Sequence, residues 1–365
     1  MKKEEQITGR QLLTMAIMAQ LGIEVLSLPH QLAENAGRDT WLSVLLSGLT
    51  AQVGIVLLWW LGSRYPTRPF YAYSSQIVGR PLGAFVNLAY GCYYAFSGFV
   101  VTALYCNTLK RWMFVITPDW MILMMLLLIC GYAATSSLKR LAFISQSFML
   151  FPVICFLLIA FSCLYGMETR NLLPVLSEGW TPVMKGIYFA FSAYVGYDLL
   201  LYAFPYVKGG KRKVLGIMSL ANTCTMLFYI VVSLICTTMF GQKQLLLIPE
   251  PIVFILKNYK VEMLQSLDIL FLIFYVCIVS ATIYVYFYLS AKSFQNLSKK
   301  GVGKQSVWVW VIVALCLLGS FFIDEQHDLT QTSSFQDKLS ILFVVGLPLL
   351  LLIISGIRGT GRRSA

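Results

Sequence analysis

Two carboxylates stand in the middle of long apolar runs, each two residues after a glycine. The first lies in Leu21-Gly22-Ile23-Glu24 and the second in Val195-Gly196-Tyr197-Asp198. A carboxylate at the centre of a bilayer costs roughly 2.5–3.5 kcal/mol even on the mildest scale, so it needs a partner or a task. Glycine inside a helix costs about 1 kcal/mol relative to alanine and lets the backbone leave helical geometry. Such backbone survives in a membrane only where protein or a wet cavity covers it. The chemistry to expect is a polar binding site at a helix break. A half-helix starting near Val25 offers free N–H groups and a positive dipole end to an anionic group. Glu24 then has three readings: cap of that half-helix, partner of a cationic ligand group or internal Lys/Arg, or protonated hydrogen-bonding acid. Asp198 reads as part of the site or its gate, or as a structural ion pair or cap.

The elements that position these groups follow from composition. The chain has 365 residues, 58% of them hydrophobic and 12% charged, with mean hydropathy +0.74. A soluble domain carries about 25% charge, so this is an integral membrane protein. Ten spans are expected: 11–30, 42–62, 84–109, 119–136, 142–165, 185–204, 216–240, 267–290, 306–323 and 338–357. Each covers a hydrocarbon core of about 30 Å. The apolar run after Arg10 is too long for a cleaved signal peptide and has no A-x-A site, so it reads as a retained first helix. The halves 1–5 and 6–10 place spans one and six antiparallel, as an inverted repeat requires, and paired interrupted segments are the sequence mark of a midplane site. The expected class is all-α, ten transmembrane helices in two inverted five-helix repeats with helices 1 and 6 interrupted, and no soluble domain.

The net charge of +12 is a topology signal. Arg10, Arg64, Arg68, Arg80, Lys139, Arg140, Lys292, the Lys208 to Lys213 run and both basic termini, Lys2 and Lys3 with Arg362 and Arg363, fall on one side of a ten-span chain. The positive-inside rule makes that side cytoplasmic. Asp324, Glu325, Asp328 and Asp337 fall on the other. The charge implies contact with anionic lipid and no nucleic-acid partner. The nine cysteines lie in or beside spans without metal-ligand spacing and read as small buried hydrophobes. No P-loop, H-E-x-x-H or G-x-S-x-G occurs, and the two histidines, His30 and His327, build no catalytic cluster. No enzyme activity, cofactor or metal is expected. The 241–260 connection reads as a short amphipathic helix on the outer surface, with a lid as the alternative. Trp41, Trp59, Trp60, Trp112, Trp120, Trp180, Trp308 and Trp310, at span ends, read as interfacial anchors.

Other polar groups share faces by helical spacing. Asp268, Tyr275, Thr282 and Tyr286 line one face of span eight, where hydroxyls serve either a ligand or interhelical hydrogen bonds. Asp268, near the span's outer end, reads as an interfacial or structural acid. Tyr90, Tyr93, Tyr94 and Ser97 form a polar-aromatic cluster in span three, open to ligand contact or to packing.

Several runs resemble the spore germination receptor B-subunit family, the spore permeases. They are Leu21 to Pro29, Ala33-Glu34-Asn35-Ala36-Gly37-Arg38-Asp39-Thr40-Trp41, Asn171-Leu172-Leu173-Pro174-Val175-Leu176-Ser177-Glu178-Gly179, and Gly196-Tyr197-Asp198 followed by Pro205 and the Lys208 to Lys213 run. The resemblance implies the amino acid–polyamine–organocation transporter fold and a germinant-binding subunit in the spore inner membrane. It also implies signalling to an A subunit and a lipoprotein C subunit. It places Gly22, Ile23, Glu24, Tyr93, Ser97, Val195, Gly196, Asp198, Thr282 and Tyr286 around a small nutrient such as an amino acid or sugar. The alternative is a proton- or cation-coupled amino acid or amine permease of the same fold. Two departures stand out: many relatives carry a small residue where Glu24 stands and Glu where Asp198 stands.

Overall fold

The computed structural model describes residues 6–163, 166–259, 266–297, 304–321 and 326–358, with the backbone alone for 326–328. Lys2, Lys3, Asp324, Glu325, Arg362, Arg363 and the side chains of His327 and Asp328 lie outside the described residues. Among the described residues, six helices are long and apolar enough to cross a membrane: Thr40–Arg64, Arg80–Trp112, Leu138–Ser162, Lys211–Leu245, Leu267–Gln295 and Leu329–Ile357. Two more crossings are bent pairs: Gly9–Gln20 with Glu24–Ala36 at 48°, and Trp180–Ala193 with Tyr197–Tyr206 at 50°. The helices Asp119–Ala134 and Gln305–Ser320, 16 residues each, complete spans four and nine. At 1.5 Å per residue they run roughly 24 Å. The result is the expected ten-helix architecture, with the breaks in spans one and six.

The two halves also share a smaller element. A short helix, Phe70–Val78, links spans two and three, and Pro251–Asn258 links spans seven and eight. The second is the 241–260 connection, and it does not lie loosely on the surface. Pro251, Ile252, Val253, Ile255 and Leu256 are all buried, which follows from the apolar run the segment carries. At its entrance Arg111 donates to both oxygens of Glu250 at 2.9 Å, and Trp112 Nε1 donates to the same carboxylate at 3.3 Å. Trp112, half-buried at the end of span three, thus also holds the Glu250 carboxylate.

Span one opens on a capping box, where Gln11 N donates to Thr8 Oγ1 and Thr8 N donates to Gln11 Oε1. This satisfies two of the four N–H groups every helix start leaves unbonded. Just before it, Ile7 N donates to Tyr206 O and Lys208 N donates to Ile7 O, both at 2.9 Å. The start of span one is thus tied to the end of span six. On the opposite face the Gly-Arg-Asp and Asn-Leu-Leu-Pro-Val motifs dock on each other. Arg38 donates to Leu173 O at 2.7 Å, and Leu176 N donates to Asp39 Oδ2 at 3.0 Å.

Two expectations need correction. Asp337, read as an outer-face acid just before span ten, is inside that span, whose helix is continuous from 326 into a π-turn at 342–346. The preceding stretch from Gln326 is polar but helix-compatible, so hydropathy alone hides it. The cysteines are also not uniformly buried. Six are, while Cys92 and Cys224 are exposed on the bundle perimeter and Cys277 is half-buried.

Candidate functional site

A helix that stops in a membrane strands its last four carbonyls, and an unbonded carbonyl in hydrocarbon costs several kcal/mol. The protein meets this with side chains from neighbouring spans. Thr282 donates to Met18 O at 3.0 Å. Tyr275 donates to Leu21 O at 3.0 Å and Gly22 O at 2.6 Å. Tyr229, from span seven, bridges both breaks by reaching Gln20 O at 2.9 Å and Ala193 O at 3.1 Å. Gln20 is 2% exposed; its Nε2 donates to Tyr194 O at 3.1 Å and Asn222 Oδ1 at 3.3 Å, and its Oε1 accepts from Thr225 at 3.2 Å. Of the span-eight face, Tyr275 and Thr282 therefore spend their hydroxyls on interhelical bonds. Gln20, Tyr229, Asn222 and Thr225 were not singled out from sequence. A glutamine directly before the Leu-Gly break was the one available signal.

The two broken spans cross at Gly196. Its φ is +123°, a region L side chains avoid, and a Cβ there would lie 2.5 Å from Ala19 O. Only glycine permits this approach. Gly22 differs, because a Cβ there would meet Thr282 at an ordinary 3.6 Å.

Between the breaks lies a cavity of about 30 Å³, roughly the space of two water molecules. Its lining comes from span one (Ala19, Gln20, Gly22, Ile23, Glu24), span three (Val100, Val101, Leu104), span six (Ser192, Ala193, Val195), span eight (Thr282, Tyr286) and span ten (Gln336). Six of the ten anticipated residues come together here: Gly22, Ile23, Glu24, Val195, Thr282 and Tyr286. Glu24 is the first residue of its half-helix, and no side chain caps that helix. Among the described residues no Lys, Arg or His pairs with it. Asp337, from span ten, follows the lining residue Gln336 in sequence and does not itself line the cavity.

The other four anticipated residues lie off the lining. Gly196 is the crossing point just behind Val195. Tyr93 turns toward span ten, donating to Ser340 Oγ at 3.3 Å and stacking on Phe343 at 4.7 Å. Ser97 is fully buried without a well-formed hydrogen bond. Asp198 is 0% exposed, and neither of its oxygens makes a hydrogen bond of good geometry. It sits beside the Tyr94 hydroxyl within a layer of tyrosines. In that layer Tyr94 packs on Tyr202 at 5.8 Å and on Tyr286 at 6.0 Å.

Comparison with known proteins adds a family and a fold. The family described as "Spore germination protein" (Spore_permease) matches residues 6–329. "Spore germination protein YndE" of Bacillus subtilis (strain 168) is 25% identical over 98% of both chains. "Spore germination protein GerQB" of Bacillus cereus is 22% identical over 96% of both. Among solved structures, a Na+-coupled sialic acid symporter in a substrate-bound outward-open state superposes with TM-score 0.72 at 10% identity, covering 96% of this chain and 79% of the symporter. Mhp1, a nucleobase-cation-symport-1 family transporter in a closed conformation, superposes with TM-score 0.68 at 13% identity, covering 96% and 78%. These likenesses establish the ten-helix fold of such transporters.

Proposed function

The chain belongs to the spore germination protein family, and from that premise we propose that it is the nutrient-binding subunit of a germination receptor. The observation that carries this reading is the cavity at the paired breaks, bounded by Glu24 on one broken span and Val195 on the other. Family and fold point to a receptor or transporter rather than an enzyme. The cavity is too small for an amino acid, so the arrangement described is a closed one. A ligand that prefers a more open arrangement of the halves shifts the balance between the two, by no more than its difference in affinity for them. That shift is the signal passed to partner subunits, an A subunit and a lipoprotein C subunit. The membrane is the spore inner membrane, with both termini on the core side and their basic residues against anionic lipid.

The test is a thermal-shift screen of the purified chain against amino acids, sugars and purines. A binder should raise the melting temperature in wild type and lose potency in Glu24→Gln. Absence of any binder, in protein that melts cooperatively, would count against the pocket. Two acids in the broken spans without cationic partners among the described residues, Glu24 and Asp198, also suit a proton- or cation-coupled permease. Gradient-driven accumulation of a labelled binder in proteoliposomes containing this chain alone would establish transport and displace the pure-receptor reading.

A further inference from the structure

We propose that Lys338 is the contact point for a transmembrane helix of another chain, one that carries a carboxylate near the bilayer midplane. The proposal rests on the reading of this chain as a receptor subunit with membrane partners, and it names the chemistry of one such partner. The ligand cavity plays no part in it.

The depth of Lys338 follows from its neighbours. Span one breaks between arms of 12 and 13 residues, so the break lies roughly 18–20 Å from either end. Gln336, two residues before Lys338, lines the cavity at that break. Ser340, two residues after it, accepts from Tyr93 at 3.3 Å, and Tyr93 lies well inside the Arg80–Trp112 helix. Lys338 therefore stands at the level of the breaks.

Its direction follows from helix geometry. Two residues are roughly 200° of turn, so Lys338 projects on the opposite side from both Gln336 and Ser340. Those two are 8% and 0% exposed, while Lys338 is exposed on the bundle perimeter. It belongs to an exposed stripe at helical spacing, Gln331, Ser334, Phe335, Lys338 and Leu342. Phe335 packs edge-on against Phe96 of span three at 6.0 Å, which fixes the stripe on the bundle. Among the described residues Lys338 forms no ion pair and no hydrogen bond. Asp337, its neighbour in sequence, projects roughly 100° round the helix and does not pair with it.

An ionisable group at this depth needs protein, water or an opposite charge beside it. Helical side chains lean toward the helix start, here the outer face. Roughly 15 Å of hydrocarbon separates the midplane from the headgroups, more than a lysine stem spans by snorkelling. An anion at the same depth meets the need. A carboxylate supplies the counter-charge and accepts from the three ammonium N–H donors. On its own helix that carboxylate faces the same cost, and pairing relieves both. A two-fold axis at this face would set Lys338 against its own copy, so the partner is a different chain.

The test is a zero-length crosslink in native membranes that hold the full-length chain and its partners. A membrane-permeant carbodiimide activates a carboxyl group, and the Lys338 amine displaces it to form an amide and release the urea. Mass spectrometry should find Lys338 joined to an Asp or Glu within an apolar segment of another chain. Lys338→Leu should lower co-purification of that same chain roughly tenfold, and Lys338→Arg should retain it. The purified Lys338→Leu protein should melt at or above the wild-type temperature. Lys338→Glu should lose the partner and regain it when the crosslinked acid is changed to Lys. No crosslink from Lys338, or one to an acid of this chain, overturns the proposal. So does wild-type co-purification by Lys338→Leu, or a lowered melt in that variant. Stabilisation by phosphatidylglycerol over phosphatidylcholine nanodiscs that Lys338→Leu abolishes, without a crosslinked chain, assigns the lysine to lipid headgroups instead and also overturns it. A failed crosslink leaves the nutrient-binding reading standing, and a failed ligand screen leaves the crosslink standing.

Discussion

The two broken spans look alike in sequence and differ in what their parts do. In span one the glycine has room for a methyl group, and the following carboxylate faces a cavity with no partner. In span six the glycine is held at φ +123° against the backbone of Ala19, and the following carboxylate is buried in a tyrosine layer. The first break has room at its glycine and turns its carboxylate to the cavity. The second is specific in its backbone and shielded in its side chain. Inverted repeats supply two copies of a local design, and packing assigns them different duties. The half that faces the cavity presents a carboxylate without a partner among the described residues. The half that forms the crossing carries the constraint.

The largest effect that breaks this contrast is expected at the crossing. Gly196→Val puts a branched side chain where Cβ alone would collide with a carbonyl, and backbone cannot move aside as a side-chain tip can. A loss of more than about 3 kcal/mol is expected, read as lost monodisperse protein or a collapsed melting temperature. Normal yield and function in that variant would remove the constraint from span six.

Next is Tyr275→Phe, which strips the donor from Leu21 O and Gly22 O. It should cost about 2 kcal/mol, the range for buried acceptors left unbonded, measured by thermal or denaturant melting. An unchanged melt would mean that these carbonyls find other donors.

Glu24→Gln should change ligand potency at least tenfold, about 1.4 kcal/mol, with the ligand-free melt preserved. Unaltered response would reduce Glu24 to a structural residue.

The smallest effect is expected for Gly22→Ala, under about 1 kcal/mol, with function retained. The same substitution at position 196 should be far more damaging. Equal damage at both positions would erase the contrast altogether. Sequence reasoning expects neither glycine to accept a β-branched residue. The structure sharpens this by separating them: Gly196 excludes any Cβ, while Gly22 has space for one.

Much of the fold was readable in the chain. The Leu21–Glu24 and Val195–Asp198 interruptions announced both broken helices, and apolar runs marked the ten crossings. Span ten was the exception. Its first residues, up to Asp337, are polar, and averaging hydropathy over a window rewards apolar content rather than helical continuity. Of the site, the residues next to the breaks were readable because a glycine and a carboxylate two positions apart act locally. The partners that cap the carbonyls were not, because Tyr229 and Gln20 are more than 200 residues apart in sequence (|i−j| = 209).

By itself the sequence determined what is local: membrane insertion, the number of crossings, the glycine-weakened points and the presence of a negative group at each. It also determined the family, through runs such as Arg38-Asp39 and Asn171 to Val175, which the structure finds docked on one another. Only the tertiary structure decided which carboxylate faces the cavity, which glycine is irreplaceable and that Asp337 lies inside span ten. The physical reason is that a helix sets neighbours three and four residues apart, whereas proximity across helices depends on crossing angles and side-chain volumes summed over the whole bundle.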